Sequence, residues 1–544
     1  MLFILSLIPI ALILLLMLGF RWGAAQAGGA GYLSALLIAV LFFGTGPQLL
    51  GYAHVRALLL SLDVLFIIWA AFLFYRVADE AGAVRTIGQA LPHLTSDRSM
   101  QALIIAWAFA SFLQGVGGFG VPVAVISPIL VSLGFAPLQA VIIPSIGHGW
   151  AVTFGSLGSS FQALMSASGL PAETLTPYTA LFLSIAGLGC GLMVAHAAGG
   201  WKAVRRLFWP VIALGLVMGI VQYAVACAGM WNIASFAGGM AGLLISFPIA
   251  QISKRNYSIS PEASNIQPAT PDTQSPTPYA PTHPSSLAPQ LPISSQVSRR
   301  TVILALSGYA ILVIITLAVQ LIPAVKDFLG QVSIQLHFPQ VTTALGYVTP
   351  AGLSRKIRIF SHAGATLTYA SVLSYLIYRR AGLYQSGAIR RIVDGTLRRV
   401  MSSSVSIASM VAMAVVMENG GMTDRLARGL AERLGAIFPL IAPWIGALGA
   451  FMTGSNTNSN VVFGALQLYT AQLLGLNAAI ILAAQTAGAS LASVMAPTKI
   501  VVGTSTAGMA GHEGEVMRKL LIYVGLLVLL VGVMTIIATW LIAS

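Results

Sequence analysis

The sequence predicts an all-α polytopic membrane protein. About 12 transmembrane helices are expected, in two inverted repeats, each with a re-entrant hairpin and a broken helix. Three observations carry that expectation. The chain is 57% hydrophobic and only 8% charged, with mean hydropathy +0.87, whereas soluble domains carry about 25% charged residues. Apolar stretches of roughly 20 residues, the length that crosses a bilayer core, recur along it. The two halves also answer each other at an offset of 339 residues: Gly82 with Gly421, Gly115 with Gly454, Gly149 with Gly488.

Taken in order, crossings are expected near ~2–20, ~29–49, ~55–77, ~138–165, ~177–198, ~207–227 and ~230–250, then ~301–323, ~359–379, ~397–417, ~477–508 and ~520–541. The first lacks a basic segment before it and reads as a retained span rather than a cleaved signal. Two stretches, ~99–134 and ~437–475, are too long for one crossing and are interrupted by glycine or polar residues, so each is expected to enter and leave on one side. The Pro/Ser/Thr-rich segment 252–299 holds too little apolar surface to order itself and reads as a disordered linker. It divides an N-terminal membrane half, 1–251, from a C-terminal one, 300–544.

Alternate loops hold 19 of the 28 Lys and Arg residues and the other loops 8, with Lys499 inside a span. The positive-inside rule places the richer set and the linker in the cytoplasm and both termini outside, in a multi-pass plasma (inner) membrane protein. The net charge of +14 is therefore a topology signal and points to no nucleic acid. Cys190 and Cys227 both fall in apolar spans and form neither a disulfide framework nor a metal site.

The stretch Gly446 to Gln467, GALGAFMTGSNTNSNVVFGALQ, organises the chain. Its centre, Thr453 to Asn460, is eight polar or glycine residues in an apolar setting. Unpaired polar groups cost several kcal/mol each in hydrocarbon, so such a segment must line a cavity or be buried in protein. Its hydroxyls and amides suit a small anion or a cation, which makes Ser455, Asn456, Thr457 and Asn458 candidate binding residues. The partner hairpin supplies Gly115, Gly117, Gly118 and Gly120, where backbone N–H groups can approach an anion. Gly117 and Gly118 are its candidates. The spacing matches GxGxxG, but no strand or βαβ unit precedes it, so no dinucleotide is expected. Ser156, Ser159 and Ser160 follow in the first broken helix, with Gln162, and Thr498 and Lys499 in the second.

Ionisable residues inside a membrane are rare and costly. Lys499 follows Pro497 at the second break, where its ammonium can face a carboxylate. His148, Asp63 and Glu418 are the candidate coupling groups, and His362, at the start of a span, reads as interfacial. No HExxH, no Cys/His zinc spacing and no P-loop occurs, so neither metal nor cofactor is expected.

The segments GVGGFGVPVAVISPILVSLGF, AVTFGSLGSSFQAL, MENGGMTDRLA, GAFMTGSNTNSNVVFGALQ and SVMAPTKIVVGTSTAGMAGHEGE resemble the lactate permease family over roughly residues 30–250 and 300–540. That resemblance implies proton-coupled symport of L-lactate or glycolate, with H⁺ as the partner ion; separately, a homodimer is the expected assembly. The residues leave Na⁺ coupling open, because an Asn/Ser/Thr-rich hairpin also presents carbonyls to a cation. A membrane-embedded enzyme would need a nucleophile–base or metal constellation, and no spacing supplies one; a passive channel would transport without accumulating.

Overall fold

The structure, a computed structural model, describes residues 1–20, 22–91, 95, 97–118, 120–257, 299–354 and 356–543. It is almost wholly helical. The first repeat comprises α1 (Leu2–Leu14), α2 (Ala24–Phe43), α3 (Pro47–Glu80) and α4 (Ala83–Ala90), then the hairpin arms α5 (Arg98–Val116) and α6 (Val121–Ser132). The broken helix follows as α7 (Pro137–His148) and α8 (Ser159–Ser168), then the first part of α9 (Ala172–Val225). The second part of α9 and α10 (Ala234–Tyr257) connect the repeats. The second repeat comprises α11 (Arg299–Leu321), a short α12 (Pro323–Gly330), α13 (Ala363–Arg380), α14 (Ala388–Asn419) and α15 (Met422–Leu434). Its hairpin arms are α16 (Phe438–Thr453) and α17 (Asn456–Leu473), its broken helix α18 (Ala478–Ala492) and α19 (Pro497–Thr506), and α20 (Glu513–Ala543) ends it.

Ten helical segments among the described residues are long and apolar enough to cross a membrane. The expectation of about 12 differs partly because the helix expected near 2–20 is shorter, Leu2–Met17, and partly in how the chain is divided. The crossings near 177–198 and 207–227 form one helix bent where Gly199 and Gly200 leave helical geometry. The crossing expected from 359 begins at Ala363, capped by His362, whose ring accepts from the Gly364 N–H at 3.2 Å. Residues 252–257 continue α10, so the linker starts later than its composition suggests; its segment 258–298 lies outside the described residues.

Contacts fix the inversion. Near the start of α3, Arg56 donates to Asn419 at the end of α14 (3.1 Å); at the end of α3, Glu80 pairs with Arg391 near the start of α14 (2.6 Å). Between them Trp69 donates to Ser404 (2.9 Å). The two equivalent helices therefore run antiparallel against each other, as inverted repeats require. Each ends at a glycine in the left-handed region, Gly82 at φ 73° and Gly421 at φ 82°, a turn that a β-carbon would strain.

The hairpins pack against the broken helices at backbone distance. A β-carbon on Gly147 of α7 would stand 1.8 Å from the Ala106 carbonyl oxygen, and one on Gly488 of α18 would stand 2.0 Å from that of Pro443. No side chain fits at either place. In the second hairpin Ser459 Oγ donates to Gly446 O (2.8 Å) and Gln467 Nε2 to Ala442 O (2.9 Å), so its arms lie antiparallel and its tip is Gly454. The first broken helix and α18 are buried along nearly their whole length, whereas α19 buries Lys499, Ile500, Gly503 and Thr504 and exposes its other face, with Thr498, Val501 and Val502.

One element was not foreseen. Residues 333–358 form an antiparallel ribbon: β1 (Ser333–Ile334) with β6 (Ile357–Arg358), β2 (His337–Phe338) with β5 (Gly352–Leu353), and β3 (Val341–Thr342) with β4 (Val348–Thr349). It lies at the end of the bundle that holds Gly44 and Asn419, where Ala344 N donates to Gly44 O and Thr349 Oγ1 to Asn419 O. The alternation in HFPQVTTALGYVT is only two residues long per rung, below what a periodicity reading detects.

Candidate functional site

Four interruptions of helix converge at the centre of the bundle. In the first broken helix the chain leaves helical geometry between His148 and Ser159, through Gly155 and Gly158. Ser156 (φ 47°) and Leu157 (φ 55°) are the only non-glycine residues with positive φ among those described, and they are adjacent here. Backbone held in that sparsely populated region persists only where the surroundings impose it, and it clusters at ligand sites. The second broken helix is interrupted at Ser493–Met495, and Pro497 restarts it as α19, where its missing N–H costs nothing. The hairpin tips are Gly118–Gly120 and Gly454–Ser455.

The start of α19 stands between the two tips. A β-carbon on Gly454 would be 2.7 Å from Thr498 Oγ1, and one on Gly120 would be 3.8 Å from Lys499 Cγ. Gly118 closes on Ser156 of the first break, and Gly117 packs on Tyr75. At the second tip Ser455 caps α17, accepting from the Asn458 N–H (3.2 Å). Asn456 Nδ2 donates to Thr153 Oγ1 (3.0 Å), Thr457 and Ser160 hydroxyls are 3.0 Å apart, and Asn460 Nδ2 donates to Ser160 O and Thr486 Oγ1 (2.9 Å each). Ser490 Oγ donates to Gly149 O (2.7 Å); these residues are 341 apart, nearly the repeat offset, so the pseudo-two-fold axis passes between them.

Ser156, Ser160, Ser455, Asn456, Thr457, Thr498 and Lys499 are thus gathered around one centre, whereas the Asn458 side chain turns to the other side of α17, where its Nδ2 donates to Ser406 Oγ of α14 at 3.1 Å. Ser159 opens α8 and is buried. Two buried amide oxygens, Asn458 Oδ1 and Asn460 Oδ1, have no hydrogen-bond partner among the described residues, and neither does His148 Nε2. The other nitrogen of His148 bonds Pro144 O at 2.6 Å.

Lys499 is 7% exposed, and its ammonium donates to Ser493 Oγ at 3.1 Å. No described carboxylate lies within ion-pair distance of it. Asp63 and Glu418, the candidate coupling carboxylates, are each engaged by other residues. Asp63, midway along α3, accepts at Oδ2 from Gln162 Nε2 (2.5 Å) and Ser166 Oγ (2.9 Å), both on α8, and at Oδ1 from His362 Nε2 (3.1 Å). His362 is therefore a partner of a buried carboxylate rather than an interfacial residue, with its ring stacked on Phe66. Its Nδ1 accepts from the Gly364 N–H, which leaves Nε2 to carry the proton toward Asp63. Glu418 accepts from Tyr469 OH (2.9 Å) and lines a small cavity of about 20 Å³ with Ser166. That is room for about one water.

Thr153, Thr486, Ser490, Ser493, Asn460 and His362 are the site residues that sequence reasoning missed. The first three are hydroxyls inside otherwise apolar spans, where a hydroxyl usually bonds its own helix, as Thr470 and Ser371 do. Their signal was their place beside the breaks.

The match to known proteins is decided by a family model described as L-lactate permease, which covers residues 2–542. The chain belongs to the L-lactate permease family. The permease is 27% identical over 561 residues to the L-lactate permease of Bacillus subtilis, covering 97% of this chain and 94% of the relative. It is 26% identical over 479 residues to the L-lactate permease of Streptococcus iniae, covering 87% and 92%. It is 26% identical over 551 residues to glycolate permease GlcA of Escherichia coli, covering 98% and 95%. Among solved structures, the YdaH transporter of Alcanivorax borkumensis aligns over 87% of this chain and 85% of its own, at TM-score 0.46 and 15% identity. The permease is a transporter of monocarboxylates and not an enzyme, and with its apolar helices it is a multi-pass plasma-membrane protein.

Proposed function

We propose that the permease is a secondary active symporter of small 2-hydroxy monocarboxylates, L-lactate or glycolate, driven by protons. The observation that carries this reading is Lys499: a buried ammonium, held only by a serine hydroxyl among the described residues, at a helix restart between two hairpin tips. A buried charge is costly until it is paired, and the substrate carboxylate supplies the pair. The free amide oxygen of Asn460 can accept from a substrate hydroxyl, which lactate and glycolate both have and acetate lacks. Thr498, Ser455, Ser156 and Ser160, with the backbone at Gly117 and Gly118, complete the polar wall.

Coupling falls to Asp63 and Glu418, with His148 as the third candidate. Asp63 is bound by two side chains of α8, so its charge state bears on where the second half of the first broken helix sits. Protonation removes the charge those donors stabilise and frees α8 to move. Glu418 shares a cavity with Ser166, one hydrogen bond from Asp63.

A second reading, Na⁺ coupling, is favoured by the same unpaired amide oxygen, since neutral carbonyls are ligands for a hard cation. The substrate class is tested by competition: unlabelled glycolate and 2-hydroxybutyrate should suppress labelled L-lactate uptake into proteoliposomes, while acetate and propionate should compete at least about tenfold more weakly, the cost of leaving a buried hydrogen-bonding group unmet. Equal competition by propionate would remove the hydroxyl from the recognition.

A further inference from the structure

We infer that the elbow of α9 is a binding site for the phosphate of an anionic phospholipid headgroup. The elbow stands where Gly199 (φ −162°, ψ 23°) and Gly200 (φ 65°, ψ −164°) interrupt the helix. Beside it opens a cleft of about 680 Å³ lined by Ser99, Gly199, Lys202, Ala203, Arg205 and Arg206. Three of those six residues are cations. Arg206 is engaged by Asp97, which accepts from it at 2.8 Å. That leaves Lys202 and Arg205, both exposed, with no carboxylate within 4.0 Å among the described residues. The cleft shares no lining residue with the substrate site, so transport does not account for its charge.

The flanking residues identify the occupant. Trp201 is 70% exposed, Phe208 41% and Trp209 75%. Large aromatic rings this bare are expected at the lipid–water boundary, where an apolar ring with a polar edge is most stable. Trp201, Arg205 and Trp209 are spaced i, i+4, i+8 and share one face of the helix. At 1.5 Å per residue the two tryptophans are about 12 Å apart along the axis, with both free cations between them. That places the cations at headgroup depth. The elbow lies at the same end of the bundle as the start of α5, since Ser99 Oγ would be 3.0 Å from a β-carbon on Gly199. Basic pockets between helices at that level hold anionic headgroups. A free phosphate would meet the same two cations but would gain nothing from the aromatic rings, so the lipid is the better fit.

The test is native mass spectrometry of the full-length permease, titrated with phosphatidylglycerol or phosphatidylcholine. Wild type should retain phosphatidylglycerol preferentially. Lys202→Gln/Arg205→Gln should weaken its first bound phosphatidylglycerol by about 25-fold, at roughly fivefold per charge. Its thermal midpoint in phosphatidylcholine should be unchanged. Arg379→Gln/Arg380→Gln removes two exposed charges elsewhere and should leave that lipid in place. Equal retention by wild type and the elbow variant, or equal loss in both variants, overturns the site. Displacement of the lipid by millimolar inorganic phosphate would make it a soluble-anion site and overturn the lipid assignment.

Discussion

At the residue scale the account rests on unlike charges kept apart. Lys499 bonds a hydroxyl, Asp63 a histidine and two residues of α8, Glu418 a tyrosine. Lys499→Gln should weaken substrate binding by about 1.5–3 kcal/mol, the worth of a hydrogen bond to a charged group. Lys499→Arg should not restore it, because a planar fork presents different geometry from a compact ammonium. Calorimetry on the purified protein measures both; wild-type affinity in Lys499→Gln would reduce Lys499 to a structural charge. Asp63→Asn should abolish accumulation driven by a pH gradient while leaving substrate exchange between loaded vesicles, since the amide cannot carry the proton. Loss of exchange together with accumulation, in protein of normal thermal stability, would instead make Asp63 part of substrate binding. Lys499 was legible in the sequence because it is the one Lys or Arg lying away from the ends of a predicted span. His362 was not: it stands 299 positions from Asp63, and nothing local to FSHAGA marks a buried carboxylate partner.

At the element scale the breaks are supported by close backbone packing. Gly488→Val would drive a side chain into the Pro443 carbonyl, where a β-carbon alone would already stand at 2.0 Å. The expected cost is about 1–3 kcal/mol or more, the usual penalty for overpacking. It should appear as a lowered thermal midpoint in detergent, whereas Gly514→Val, with open space around it, should not move the midpoint. Equal midpoints would show that α18 and the hairpin are not locked together. Both hairpins were readable because eight polar or glycine residues cannot lie against lipid as a helix, and because four glycines mark the other tip. Their neighbours were less readable. Pairing of α3 with α14 depends on the antiparallel contact of two helices whose touching residues, Trp69 and Ser404, are 335 positions apart, and the 333–358 ribbon has rungs too short to show a period.

At the scale of the whole molecule the inversion of α3 against α14 supports alternating access between two related halves. The Lys/Arg asymmetry predicts that the 252–299 segment faces the cytoplasm. A cysteine placed at Ser285 should resist an impermeant thiol reagent in intact cells and react after permeabilisation; labelling in intact cells would reverse the orientation. The central claim is that the site joins a carboxylate to a proton. Its most direct measurement is uptake of radiolabelled L-lactate into proteoliposomes under an imposed gradient of pH or of Na⁺, one at a time. The account predicts accumulation above equilibrium with an acid exterior and none with the Na⁺ gradient alone. Accumulation driven by Na⁺ and indifferent to pH would contradict it, and so would uptake that only equilibrates under either gradient.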